Sequence, residues 1–125
     1  MRKCDVARLL AALFTIGLVT PVLAKTETLT GRFVDLACYT KDHANVTNAH
    51  KGMGATCAQD CARKGMPPAL VTDDGKVYQI TGDLTADNNA KIVPHMAHRM
   101  QLTGDVTEKD GKMMIAATDL KMLGK

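Results

Sequence analysis

Apolar and polar residues alternate strictly in one stretch of the C-terminal half. Met100, Leu102, Gly104 and Val106 fall on one side of the pattern, and polar residues occupy positions 99, 101, 103 and 105. A period of two is typical of a strand with one buried face. An Asp-Gly-Lys turn at residues 110–112 leads into a second apolar-rich stretch, residues 113–123. We predict that these stretches are the fourth and fifth strands of the chain.

Three further strands are predicted before them. Residues 29–36 combine β-branched, aromatic and leucine side chains around Gly31, which indicates a strand that bends at a glycine. Residues 69–72 and 77–81 flank a turn that contains Asp-Gly, a pair that tolerates the positive φ of a hairpin turn. These two stretches are predicted to be the second and third strands.

A short helix is predicted between the third and fourth strands. Asp83 or Thr85 can cap its start, and Pro94 ends it. Leu84 and Ile92 are expected to face the core.

Three strands, a helix and two strands is the order of a five-stranded OB-like barrel, so the predicted fold class is mainly β. Gly31, Gly82 and Gly104 each follow an apolar-Thr pair, and glycines at such points let a small sheet coil toward closure. Residues 25–125 are predicted to form a single OB-like domain. Residues 38–68 are then an insertion between strands one and two.

The first 24 residues have the layout of a secretory signal. Arg2, Lys3 and Arg8 form a positive start, an apolar run covers residues 9–19, and cleavage is expected after Ala24. The run is shorter than the roughly 20 residues that a spanning helix needs. We predict a signal peptide at 1–24, a periplasmic or secreted protein, and no stable membrane insertion after cleavage.

Composition narrows the function classes. The 125 residues are 46% hydrophobic and 23% charged, as in ordinary globular domains, with no Trp and 3% aromatic residues. Removing residues 1–24 takes away three basic residues and one acidic residue, which leaves 13 basic against 12 acidic. A chain without basic excess or aromatic surface is a poor nucleic-acid binder, and we expect no nucleic-acid partner.

The expected cleavage removes Cys4 and leaves three cysteines, Cys38, Cys57 and Cys61. Thiols usually pair in an oxidising compartment, but three is an odd number. One disulfide with a spare thiol, an intermolecular bridge, and a site that uses thiolates as ligands are all open.

A short helix is predicted at residues 57–64, with Thr56 as its cap and Gly65 as its end. Cys57 and Cys61 then project from one helix face about one turn apart, where two ligands of one metal would lie. Cys38, His43 and His50 can fold over that face. Imidazole and thiolate together suit copper or zinc, and the nearby Met53 and Met66 favour Cu(I).

A disulfide from Cys38 to Cys57 or Cys61 is the main alternative. Such a bridge would tie the insertion to the first strand and contribute about 2–4 kcal/mol, with both nearby histidines solvated. Covalent haem is not expected, because Ala62 rather than His follows Cys61. A thiol redox role is weaker, because the spacing is Cys-x-x-x-Cys and no βαβ pattern surrounds it.

Two other features receive structural interpretations. In the segment 95–100, Met96, His98 and Met100 could form a row of soft ligands, but a core methionine and a polar loop explain it as well. Asp35, at the end of the first strand, is expected to bond a neighbouring backbone N–H. Because hydrolase motifs and phosphate-binding loops are absent from the sequence, the chain is not expected to be an enzyme.

The chain resembles a family of small, largely uncharacterised exported bacterial proteins. The resemblance rests on Asp35-x-x-Cys38, His50, Cys57-x-x-x-Cys61, Gly65-x-Pro67 and the Asp-Gly-Lys-Val-Tyr segment at 74–78. It covers nearly all of residues 25–125. It implies an OB-like fold and an exported location, and it implies no particular reaction.

We therefore predict an exported, non-catalytic metal-binding module, with copper ahead of zinc. The candidate ligands are cysteines and histidines of the insertion: Cys38, His43, His50, Cys57 and Cys61. The expected partner is a metal ion or a periplasmic protein. A disulfide-stapled OB-like module that binds a ligand or protein is the alternative, and a thiol redox protein is the weaker one.

Overall fold

Five strands form the sheet of the protein in a computed structural model that describes Gly17 and residues 23–125. They are β1 (Lys25–Asp35), β2 (Pro68–Thr72), β3 (Val77–Thr81), β4 (Arg99–Lys109) and β5 (Lys112–Gly124). The strands close into a barrel in the order β1-β2-β3-β5-β4, because β1 pairs with both β2 and β4. Only the β3–β5 pairing in this barrel is parallel. The predicted mainly β, OB-like barrel is confirmed.

The predicted signal peptide, residues 1–24, lies outside the described residues except for Gly17, Leu23 and Ala24. Within the described part of the chain, no helix has the length and apolar character needed to cross a membrane.

The barrel interior is filled by the inward-facing residues of its strands. Met100, Leu102 and Val106 are buried, as the alternating pattern predicts for β4. They join a cluster whose largest fully buried members from the other strands are Phe33, Leu70, Ile80 and Ile115. Burial of these apolar side chains is the main stabilising contribution to the barrel.

Two glycines allow the strands to coil closely. A Cβ atom on Gly31 would overlap the carbonyl oxygen of Val71 and lie 2.7 Å from its carbonyl carbon. A Cβ atom on Gly104 would overlap the carbonyl oxygen of Ala116 and lie 2.6 Å from the Cα of Ala117. The β4–β5 register also shifts next to Gly104. Both positions therefore require glycine, as the sequence predicts.

We refer to residues 36–67, between β1 and β2, as the helical insertion. It contains α1 (Leu36–Lys41) and α2 (Cys57–Arg63). The helix predicted at 57–64 corresponds to α2. The first strand is one residue shorter at its end than predicted, because Asp35 caps α1 and the chain turns into a helix at Leu36.

The segment between β3 and β4 is helical but broken. It contains a 3₁₀ turn at Asp83–Thr85, a single turn α3 at Ala86–Asn89 and a 3₁₀ turn at Val93–His95. The predicted single helix does not form because residues 87–89 adopt φ values of 53°, 55° and 61°, a left-handed conformation that Asp and Asn tolerate. Leu84 and Ile92 are buried, as predicted.

Candidate metal centre

The end of β1 positions the first cysteine of the site. Asp35 Oδ1 accepts a hydrogen bond of 2.8 Å from the backbone N–H of Cys38, which confirms the bond expected of this aspartate. The cap fixes the first turn of α1 and turns Cys38 inward, where its side chain is 7% exposed. The barrel therefore determines where this thiol lies.

Helix α2 brings the other two thiols to the same place. Ala58 and Ala62 are buried in the barrel core cluster, and Cys57 and Cys61 are partly buried. Thr56 occupies the predicted cap position, but its hydroxyl donates to the Asp60 carboxylate at 2.7 Å and caps no backbone N–H. Docking of two alanines, rather than capping, sets the orientation of this helix.

His50 comes from the loop between α1 and α2. Its side chain is 5% exposed, and neither Nδ1 nor Nε2 has a hydrogen-bond partner among the described residues. A buried imidazole normally bonds through at least one nitrogen, because leaving such a group without a partner costs about 1–3 kcal/mol. The unprotonated nitrogen of a neutral imidazole carries a lone pair, and this nitrogen is the atom through which histidine binds metal ions.

The donor atoms fall into two groups that share one thiol. Ligand atoms of Cys38, His50 and Cys57 lie within 4.8 Å of one another, and so do those of Asp35, Cys38 and Cys61. The structure thus brings together four of the five predicted ligands, with Cys38 common to both groups. Such separations are compatible with one bound ion, whose bonds to nitrogen and sulfur are ~2.0–2.3 Å long in the case of zinc.

His43, the fifth predicted ligand, belongs to neither group. Its side chain is exposed, and its ring stacks on Tyr39 with ring centroids 4.6 Å apart and planes inclined by 13°. The stacking holds the imidazole on the outer side of α1.

Burial and neighbouring charge raise the pKa values of two of the thiols, Cys38 and Cys61. The pKa of Cys38 is raised to about 12, chiefly by burial, and the neighbouring Asp35 carboxylate and the Cys57 and Cys61 thiols add to the effect. Burial also raises the pKa of Cys61, as do the nearby Asp35 and Cys57, although Lys64 opposes them. A bound cation reverses this balance, because it stabilises thiolates directly.

One donor, Asp35, was missed as a ligand by sequence reasoning, and Met53 was predicted only as a nearby soft sulfur. The second carboxylate oxygen of Asp35, Oδ2, is buried and has no hydrogen-bond partner among the described residues. The sulfur of Met53 lies 3.6 Å from the Cys57 thiol. The signal for Asp35 was its place three residues before Cys38, which puts both side chains on the first turn of a helix.

The segment before β4 does not form a row of ligands. Met96 and Met100 are fully buried in the barrel core. His95 and His98 pack edge to face with ring centroids 6.4 Å apart, and burial lowers the pKa of His98, with the charge of His95 next in importance. Neither histidine belongs to a metal-holding group among the described residues.

Cys38, Cys57 and Cys61 are free thiols in this structure. Comparison of the chain with protein-family models, curated proteins and solved structures gives no match. The geometry of the donors therefore carries the functional argument.

Proposed function

We propose that this chain is an exported, non-catalytic metal-binding module that takes copper ahead of zinc. The ion binds to Cys38, His50 and Cys57, with Cys61 in the same cluster. The expected signal peptide directs the chain to the periplasm or the medium, where the metal ion, or a protein that supplies or accepts it, is the partner.

The observation that carries the proposal is the state of His50. A buried imidazole with two unpaired nitrogens, within 4.8 Å of two cysteine sulfurs, is costly unless something binds it. Within the described part of the chain, no protein donor or acceptor forms a hydrogen bond with either nitrogen of His50. A soft or borderline cation satisfies the imidazole and both thiolates at once.

Copper is favoured over zinc by the softness of the donors. Two thiolates and an imidazole suit either ion, but the Met53 thioether next to Cys57 adds a sulfur that Cu(I) prefers. Met53 is 45% exposed, so it can reach an ion without a change in the buried part of the site.

A Cu(I) titration under a competing chelator tests this proposal. The reduced protein, purified after export, should bind Cu(I) stoichiometrically, and replacement of both Cys57 and Cys61 by serine should abolish binding. The matched control is Ser substitution of Thr47, an exposed residue of the same loop, which should bind copper as the wild type does. Circular dichroism should show the barrel intact in each variant, and a wild type that takes no copper or zinc would refute the proposal.

The stapled module remains a second candidate, because the Cys38 sulfur lies within 4.8 Å of the sulfurs of both Cys57 and Cys61. Thiol counting on the chelated, unreduced protein separates the two. Three modified cysteines support the metal site, whereas one modified cysteine supports a disulfide and a binding module built on the barrel.

A further inference from the structure

The carboxylate of Asp35 has one oxygen in use and one without a partner. Oδ1 accepts the hydrogen bond that caps α1, while Oδ2 is buried and unpaired in a residue that is 1% exposed. No basic side chain forms an ion pair with Asp35 within the described residues. Helix capping therefore accounts for the position of Oδ1 but gives Oδ2 no partner.

The Asp35 carboxylate is buried beside two thiols. A carboxylate oxygen of Asp35 lies within 4.8 Å of both the Cys38 and Cys61 sulfurs. A buried carboxylate that has an oxygen without a hydrogen-bond partner is costly unless something binds it. A cation held between the three side chains gives the carboxylate that partner.

We propose that Asp35, Cys38 and Cys61 form a second metal position that adjoins the first and shares the Cys38 thiolate with it. This inference rests on the proposed function, because it takes the group of Cys38, His50 and Cys57 as the first position. The fully loaded site then holds two ions, with Cys38 as the bridging ligand.

The two positions differ in the ion that they prefer. Two thiolates with a carboxylate suit a borderline divalent ion such as Zn²⁺, which binds Cys sulfur and Asp oxygen alike. Imidazole, two thiolates and a nearby thioether are softer and suit Cu(I).

The test counts the zinc ions bound to each variant. With Zn²⁺ alone, which both donor sets accept, native mass spectrometry of the reduced wild type should give two ions per chain. Asp35→Asn should give one ion, because the amide oxygen keeps the cap while the anionic ligand is lost. Asp42→Asn is the matched control, since Asp42 Oδ1 also accepts a backbone N–H, that of Ala44 at 2.9 Å, but is exposed. This control should keep two ions.

The cysteine variants give a pattern that a single site cannot produce. Cys57→Ser and Cys61→Ser should each keep one ion, whereas Cys38→Ser should lose both, because only Cys38 is shared. Circular dichroism should show the barrel intact in each variant, so that a lost ion is distinguished from a lost fold. Cys61→Ser removes the second position without touching the cap of α1.

The remaining outcomes show whether the second metal position alone, or the proposed function as well, is wrong. One zinc ion in the wild type, with both Cys57→Ser and Cys61→Ser weakening it, overturns the second position and leaves the proposed function in place. Two ions in Asp35→Asn likewise overturn it. A wild type that binds neither Zn²⁺ nor Cu(I) overturns the proposed function and this inference together.

Discussion

The barrel and the helical insertion are stabilised in different ways. The fully buried large side chains of the barrel are mostly apolar, from Phe33 in β1 to Ile115 in β5. In the insertion, two of the buried residues are Cys38 and His50, whose polar atoms are candidate metal ligands. The barrel is stabilised mainly by apolar burial, whereas the insertion contains a buried imidazole without a hydrogen-bond partner among the described residues.

The loop between the two helices is the least supported part of the insertion. Helix α1 packs on the barrel through Tyr39, and α2 packs through Ala58 and Ala62. Residues 51–56 of the connecting loop are all exposed. A candidate ligand on a helix, Cys38, and a candidate ligand on this loop, His50, thus lie at one site. Metal binding should therefore order the loop more than the barrel.

The largest effect is expected from the barrel glycines. Gly31→Val and Gly104→Val each place a branched side chain against a neighbouring strand, and we expect a loss of about 3 kcal/mol or more in the free energy of unfolding. The melting temperature of each variant should fall by roughly 12 °C or more. Gly54→Val is the control, because a Cβ there meets no atom within 4 Å, and its melt should be unchanged. Wild-type melting of both barrel variants would show that the strands are not in close contact at these points.

The next largest effect concerns the loop ligand. His50→Ala should weaken Cu(I) binding by about 100-fold or more, since even outer-shell changes cost 10–100-fold. His43→Ala should have no effect, because that ring stacks on Tyr39 outside the donor groups. In hydrogen exchange, metal should slow the amides of residues 42–56 and leave those of β4 unchanged. Equal losses in the two histidine variants would contradict the observed separation of the rings.

A pH dependence is expected in the metal-free protein. The pKa of Cys38 in the folded state, about 12, is above its ordinary value of 9.0, so the folded state holds this proton more tightly than the unfolded chain does. The resulting stabilisation is fully present below pH 9 and is lost as the pH rises toward 12. Metal binding should show the opposite trend and strengthen with pH, because it releases the thiol proton.

Urea unfolding of the reduced, chelated protein at several pH values above neutrality checks this expectation. In the Cys38→Ala variant, the free energy of unfolding should decrease less than in the wild type as the pH rises from 9.0 toward 12. A wild type whose stability did not decrease from pH 9 upward would mean that the thiol ionises as easily in the fold as in the unfolded chain.

The smallest effect is expected from a surface ion pair of the barrel. Arg99 of β4 forms two hydrogen bonds with the Asp73 carboxylate, of 2.7 and 2.6 Å, across to the β2–β3 turn. The two side chains are 44% and 68% exposed, so Arg99→Ala should lower the free energy of unfolding only slightly, and Asp73→Ala about as little. Added salt should make the difference in stability between these variants and the wild type smaller still. A larger loss, resistant to salt, would mean that Arg99 stabilises the barrel by packing.

Local patterns predict most of the barrel because strand period and turn chemistry are local properties. The alternation in β4 and the Asp-Gly turn before β3 identify those strands directly. The start of β1 was missed, since residues 25–28 are polar and become a strand only by pairing with β4, where Lys25 lies opposite Val106. Such pairing depends on residues far along the chain.

The donors of the site are predictable by type but not by position. Spacing places Cys57 and Cys61 on one helix face, and the structure agrees. Sequence cannot separate His50 from His43, because both lie on a loop whose path depends on packing against the barrel. Nor can the sequence show that the second carboxylate oxygen of Asp35 is unpaired, because this depends on how the junction of β1 and α1 is buried.

The buried amide of Asn89 determines which end of α2 is fixed. Asn89 Nδ2 donates to the carbonyl oxygens of Ala62 and Met66, at 2.8 and 3.0 Å, and so anchors the C-terminal end of the helix to the barrel. The first turn is bonded to its own loop, through the carbonyls of Gly54 and Asn48. We therefore expect larger fluctuations at the Cys57 end of α2 than at its C-terminal end, and an ion held by the candidate ligands would exchange with solvent on that side.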